Sequence, residues 1–221
     1  MLQERKIRIE ERLEKHGIDC QINYPEYLTF DDHLFATPYE VGCRIMILYA
    51  IAYTLQDEPK KPGIVKWLKD EGLWSYVSRK EAAYFEHIYT REDLLLELSW
   101  KIESAYILAW SVKLVKDPSF PSDETNQEQM DDFVNHLPAL GDHLNDFLHS
   151  LSFRDTAEIF DENIFYELTT TYFRDLLFSG RKDQTDINKP ASFERHLGLN
   201  WLRRFKGVKD WDHTDTSTPD D

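Results

Sequence analysis

Glu194, Arg195, His196 and Asn200 alternate with Leu197, Leu199, Trp201 and Leu202 at helical spacing near the C-terminus. His196 and Asn200 are one turn apart and share a helix face, with Glu194 on the adjoining flank. Leu197, Trp201 and Phe205 supply the apolar stripe beside them. Beyond lies Trp211-Asp212-His213-Thr214-Asp215-Thr216. A solvated acidic tail has no need of a tryptophan, and burying one is worth a few kcal/mol, so Trp211 should anchor this segment against the helix. Asp212 or Asp215 would then orient the His196 imidazole, as a carboxylate does for a general base or a metal-bound histidine, and raise its pKa. The candidate pocket is therefore Glu194, Arg195, His196, Asn200, Asp212 and Asp215. A structural reading competes: His196 and Asn200 bond backbone and Asp215 bonds Arg195, tying down a helix end.

Other chemistries find less support. Glu194, His196, Asp212, His213 and Asp215 form a mixed nitrogen and oxygen set that would suit zinc or manganese. No H-E-x-x-H, paired cysteines or EF-hand loop accompanies them, so no metal and no cofactor are expected. His136, His143 and His149 lie in an acidic amphipathic segment and should face solvent. There is no G-x-S-x-G elbow or phosphate-cradling glycine loop, and neither Cys20 nor Cys43 has an activating neighbourhood. The run Arg203-Arg204-Phe205-Lys206 is too short to make a nucleic-acid stripe. Arg44 and Glu103 interrupt otherwise apolar helices. The two together, or one of them with Glu158, should form a core ion pair, with Arg44–Glu103 the first choice.

The elements that position these residues read as helices throughout. Thr37-Pro38-Tyr39-Glu40 and Ser78-Arg79-Lys80-Glu81 are capping boxes, and Thr90-Arg91-Glu92-Asp93 is a weaker acidic version. They open helices over 41–55, from 79 onward, and over 91–115, the last being the longest. Further helices are expected over 162–179 and 191–205, with an irregularity at Thr169-Thr170-Thr171. Gly17, Gly72 and Gly180 sit where helices should stop. The polar stretches 117–127 and 181–189 read as surface loops. The sum is an all-α, single-domain irregular bundle of about eight helices over 1–216, with a disordered acidic tail at 217–221.

Composition narrows the setting. The net charge of −15 disfavours nucleic acid and anionic membrane, leaving solubility or an acidic face for a basic protein partner. Aromatic residues at 14% argue for a packed core in spite of 30% charged residues. Two cysteines without framework spacing, a charged N-terminus without an apolar signal core, and no apolar run long enough to span a bilayer point to a cytoplasmic protein.

These islands carry a resemblance. Gly17-Ile18 with Pro25, Glu40-Val41 with Arg44, and Trp67-Leu68 with Gly72-Leu73-Trp74 match the domain of unknown function 4272 family, which is mostly bacterial. So do Trp100-Lys101-Ile102-Glu103 with Trp110, Arg154 with Glu158-Ile159, and the C-terminal signature. That signature comprises Glu194-Arg195-His196, Leu199-Asn200-Trp201, Trp211-Asp212 and Thr214-Asp215-Thr216. The segment 117–151 matches little, and Gly198 stands where a larger residue is expected, which should loosen helix packing. The resemblance implies a shared fold and carries no reaction. The leading expectation is an acidic protein-binding module, one that neutralises a basic toxin or nuclease being the sharpest form. The alternatives are a hydrolase-like enzyme or a small-ligand regulatory domain using the pocket around His196, Asn200 and Asp212 to Asp215.

Overall fold

The computed structural model describes residues 2–20, 22, 28–86, 92–118 and 120–217. Thr90 and Arg91 of the acidic box, Pro25, and the tail beyond Ser217 lie outside them. Among the described residues the architecture is all-α, with nine α-helices joined by short 3-10 turns and no strand. The helices are α1 (Leu2–Lys15), α2 (Pro38–Gln56), α3 (Lys61–Asp70), α4 (Arg79–Phe85) and α5 (Glu92–Ser111). They continue with α6 (Gln127–Asn135), α7 (Asn145–Ser150), α8 (Thr156–Ser179) and α9 (Lys189–Arg203). No described helix is long and apolar enough to cross a membrane.

Both full capping boxes form. The Thr37 hydroxyl accepts from the Glu40 amide while Glu40 accepts from the Thr37 amide at 2.7 Å, and Ser78 and Glu81 repeat the exchange. After its cap, α2 is buried on nearly every side from Val41 to Ile51, as is α5 from Glu103 to Ser111. Helices apolar all round belong in the middle of a bundle. Accordingly α2 packs on α5, α5 on α9, α9 on α8, and α8 on α1. The tryptophans Trp67, Trp110, Trp201 and Trp211 belong to this core.

Two sequence expectations are corrected here. The helix expected from 162 starts at Thr156 and runs unbroken through Thr169-Thr170-Thr171. Thr169 and Thr171 return their hydroxyls to the carbonyls of Phe165 and Glu167, which satisfies them without breaking the helix. Gly198 does not loosen packing. It lets α9 lie close on α5: a Cβ there would stand 3.2 Å from Ile107 Cγ2 and 3.4 Å from Ser104 Cα.

Candidate functional site

Helix α9 starts from Asn188, whose side chain accepts from the Ala191 amide, with Pro190 in the first turn. Its polar residues then diverge. Glu194 turns to α5, receiving Lys101 Nζ at 3.1 Å on both oxygens, while the Ser104 hydroxyl donates to its backbone carbonyl at 2.7 Å.

Arg195 is sealed from solvent and faces Glu103, which is equally buried. Its Nε donates to Glu103 Oε2 at 3.0 Å, and its Nη1 to the Pro118 carbonyl at 2.9 Å and the Tyr166 hydroxyl at 3.3 Å. Glu103 also accepts from the Thr125 amide at 2.5 Å and from the Thr125 hydroxyl at 3.0 Å. Burial works against the guanidinium charge, but Tyr166 and Glu103 outweigh it and hold the Arg195 pKa above its usual value. Burial also pushes the Tyr166 phenol up to about 12.

The expected pairing of Arg44 with Glu103 is therefore wrong in its partner, and Glu158 serves neither: it bonds Arg154 at 3.3 Å. Arg44 is buried, but it donates to both oxygens of Glu81 at 2.7 and 2.8 Å and to the Tyr76 carbonyl at 2.5 Å. The reason is topological. Glu81 enters from the first turn of α4 beside α2, while Glu103 points to the face of α5 that α9 covers.

His196 is fully buried between α9 and α8. One ring nitrogen, Nδ1, shares a hydrogen bond with the Thr170 hydroxyl at 2.8 Å, and Nε2 makes none. Burial first, then the charges of Arg174 and Arg203, lowers its pKa to about 3, against a weaker raising effect of Asn200 and Asp215. The carboxylate contact that would have raised it does not form. Asn200 donates to the Asp215 carbonyl at 3.0 Å and accepts from Asn163 at 3.0 Å, while Asn163 Oδ1 also receives Arg203.

The C-terminal segment does fold back. Trp211 is buried with its ring 5.6 Å from that of Trp201, edge to face, and the Arg44 guanidinium lies 4.6 Å from the Trp211 ring. Its carboxylates, however, miss the α9 polar residues. Asp212 accepts from the Lys80 amide at 2.9 Å, in the first turn of α4, and Asp215 accepts from the Ser217 amide at 2.9 Å. His213 is exposed beside Asp210 at 3.1 Å. The five candidate metal ligands are thus dispersed. Among the described residues the one carboxylate and histidine grouping compact enough for an ion is Asp31-Asp32-His33, consecutive and exposed.

The cavity at the predicted place is small: about 70 Å³, lined by Asn200, Phe205, Lys206, Val208, His213, Thr214, Asp215 and Ser217. That is room for about two waters. A larger concavity of about 410 Å³ lies between the end of α1, α8 and the segment after Gly180, where Cys20, Tyr172, Arg181 and Lys182 meet. Burial together with Glu10, Asp19 and Asp175 raises the Cys20 pKa, which keeps it a thiol and a poor nucleophile. Sequence reasoning missed Glu81, Lys101, Thr125 and Tyr166. Glu81 looked fully used as a cap, whereas it caps α4 through Oε2 and binds Arg44 through both oxygens.

The family described as Domain of unknown function (DUF4272) matches residues 5–214, and the chain belongs to it. No curated protein and no solved structure matches the chain.

Proposed function

We propose that this DUF4272 member is a protein-interaction module that presents an acidic face to a basic protein partner. One observation carries the reading. From 117 to 153 the chain contains no lysine or arginine, and Asp117, Asp123, Glu124, Glu128, Asp131, Asp132, Asp142 and Asp146 are all exposed. Like-charged side chains gathered where the chain supplies no lysine or arginine raise a local field that speeds encounter with a cation-rich surface.

The face is also firmly held, which distinguishes it from a solvated tail. Thr125 is fixed by Glu103, the Asp142 carbonyl accepts from Trp67 Nε1 at 2.8 Å, and the Leu144 amide donates to Glu71 at 2.9 Å. A pre-ordered surface loses less entropy on binding than a flexible one. The enzyme and ligand-pocket alternatives around His196 gain no comparable support, because His196 is committed beneath the surface to Thr170, Arg195 to Glu103 and Asn200 to the Asp215 carbonyl.

Hydrogen exchange with a small cationic protein, lysozyme, at low salt tests the location. Slowed exchange concentrated in 123–146 agrees with the reading. Protection spread evenly over the surface, or concentrated on α1 or α8, contradicts it.

A further inference from the structure

Lys61 opens α3, and its side chain is almost wholly buried, at 2% exposure. An ammonium has three donors, and burying it without compensation is costly. Yet Lys61 Nζ makes no hydrogen bond among the described residues. Its contacts are the Tyr84 ring face at 4.0 Å and Glu58 Oε1 at 3.6 Å, too long for a hydrogen bond. The Glu58 side chain is 64% exposed.

The same ammonium borders a cavity of about 140 Å³ lined by Thr54, Leu55, Glu58, Lys61, Tyr84 and Leu95. Its hydroxyl protons are already committed. Tyr84 donates to Thr54 at 3.1 Å, and Thr54 donates to the Ala50 carbonyl at 2.8 Å. The cavity therefore offers one cation with open donor positions, set between two leucines.

We infer that this cavity binds a short-chain monocarboxylate, its head on Lys61 and its tail between Leu55 and Leu95. The site is independent of the acidic face. One cation matches a single negative charge, and the leucine walls suit a hydrocarbon tail better than the oxygens of a phosphate. The volume equals about five waters at ~30 Å³ each, which fits an acid of about four carbons. Glu58 stands at the mouth, its carboxylate 3.6 Å from the ammonium, and the bound anion takes the remaining donor positions of Lys61.

Titrating the full chain with sodium butyrate at constant ionic strength, followed by amide chemical shifts, tests this. Saturable shifts at Thr54, Lys61, Tyr84 and Leu95 are expected, with none from 1-butanol, which has the same tail and no charge. Lys61→Met should weaken butyrate by at least about tenfold through loss of the charge-assisted bond. Leu95→Trp fills the cavity while keeping Lys61 and should abolish binding, so it decides the matter if Lys61→Met does not fold. The inference is overturned by an absence of saturation, by equal binding of butanol, or by tighter binding of inorganic phosphate. Unchanged butyrate affinity in either folded variant overturns it as well.

Discussion

Arg195 and Glu103 form an ion pair 3.0 Å apart with neither side chain open to water, and the pair joins α9, α5 and the loop carrying Thr125. Two residues from separate sequence islands thus meet inside the core, where they fix the geometry between helices.

Breaking the pair from one side leaves the other charge buried. Arg195→Met should destabilise the fold by about 3–5 kcal/mol. In urea unfolding, the double variant Arg195→Met with Glu103→Gln should cost clearly less than the sum of the two single changes. Additivity of the two would mean that the residues do not interact.

The same reasoning separates the corrected pair from the expected one. Glu81→Gln should destabilise by about 3–5 kcal/mol by orphaning Arg44, more than the ~1 kcal/mol of a lost cap contact. Because Arg44 lies over the Trp211 ring, tryptophan emission should shift in this variant. A cost near 1 kcal/mol with unchanged emission would return Arg44 to solvent.

His196 makes stability depend on acid. It is neutral in the fold with a pKa near 3 and ordinary, about 6.5, when unfolded, so the unfolded chain takes up the extra proton first. This contribution is intact above pH 6.5 and is lost as pH falls from there toward 3, at up to about 1.4 kcal/mol per unit. Unfolding free energies measured between pH 7 and 4 should fall less steeply in His196→Leu than in the parent. Parallel slopes would show that His196 takes up its proton alike in the folded and unfolded chain.

Gly198 sets the distance between α9 and α5. Alanine gains about 1 kcal/mol of helix propensity but meets Ile107 at 3.2 Å, so Gly198→Ala should change stability by less than about 1 kcal/mol. Gly198→Leu should cost about 1–3 kcal/mol by overpacking. Thermal unfolding of the two variants checks the contrast, and a neutral leucine would contradict the close approach.

The helices were legible because their signals are local: the Thr37 and Ser78 boxes, the glycine stops, and the apolar runs of α2 and α5. The return of Trp211 to α9 was legible from the incongruity of a tryptophan in an acidic segment. Partners were not. Arg44 and Glu103 each announce a buried charge, but which carboxylate faces which guanidinium depends on the packing order α2, α5, α9, α8, which sequence periodicity does not encode. For His196 the helical face was right and the environment was not. The face meets Thr170 and two arginines of α8 and α9, while Asp212 is drawn away to the α4 amide.

The acidic face is tested most directly by neutralising it beside a control variant of the same net charge. One variant carries Glu124→Gln, Glu128→Gln, Asp131→Asn and Asp142→Asn; a control carries Glu11→Gln, Glu14→Gln, Glu86→Gln and Glu92→Gln, all exposed in the parent. Association rates with lysozyme across a salt series should fall by at least about tenfold at low salt in the first variant and flatten in their salt dependence, leaving the control close to the parent. Equal losses in the two variants would show that the chain attracts cations by total charge alone, and that 117–153 is no interaction face.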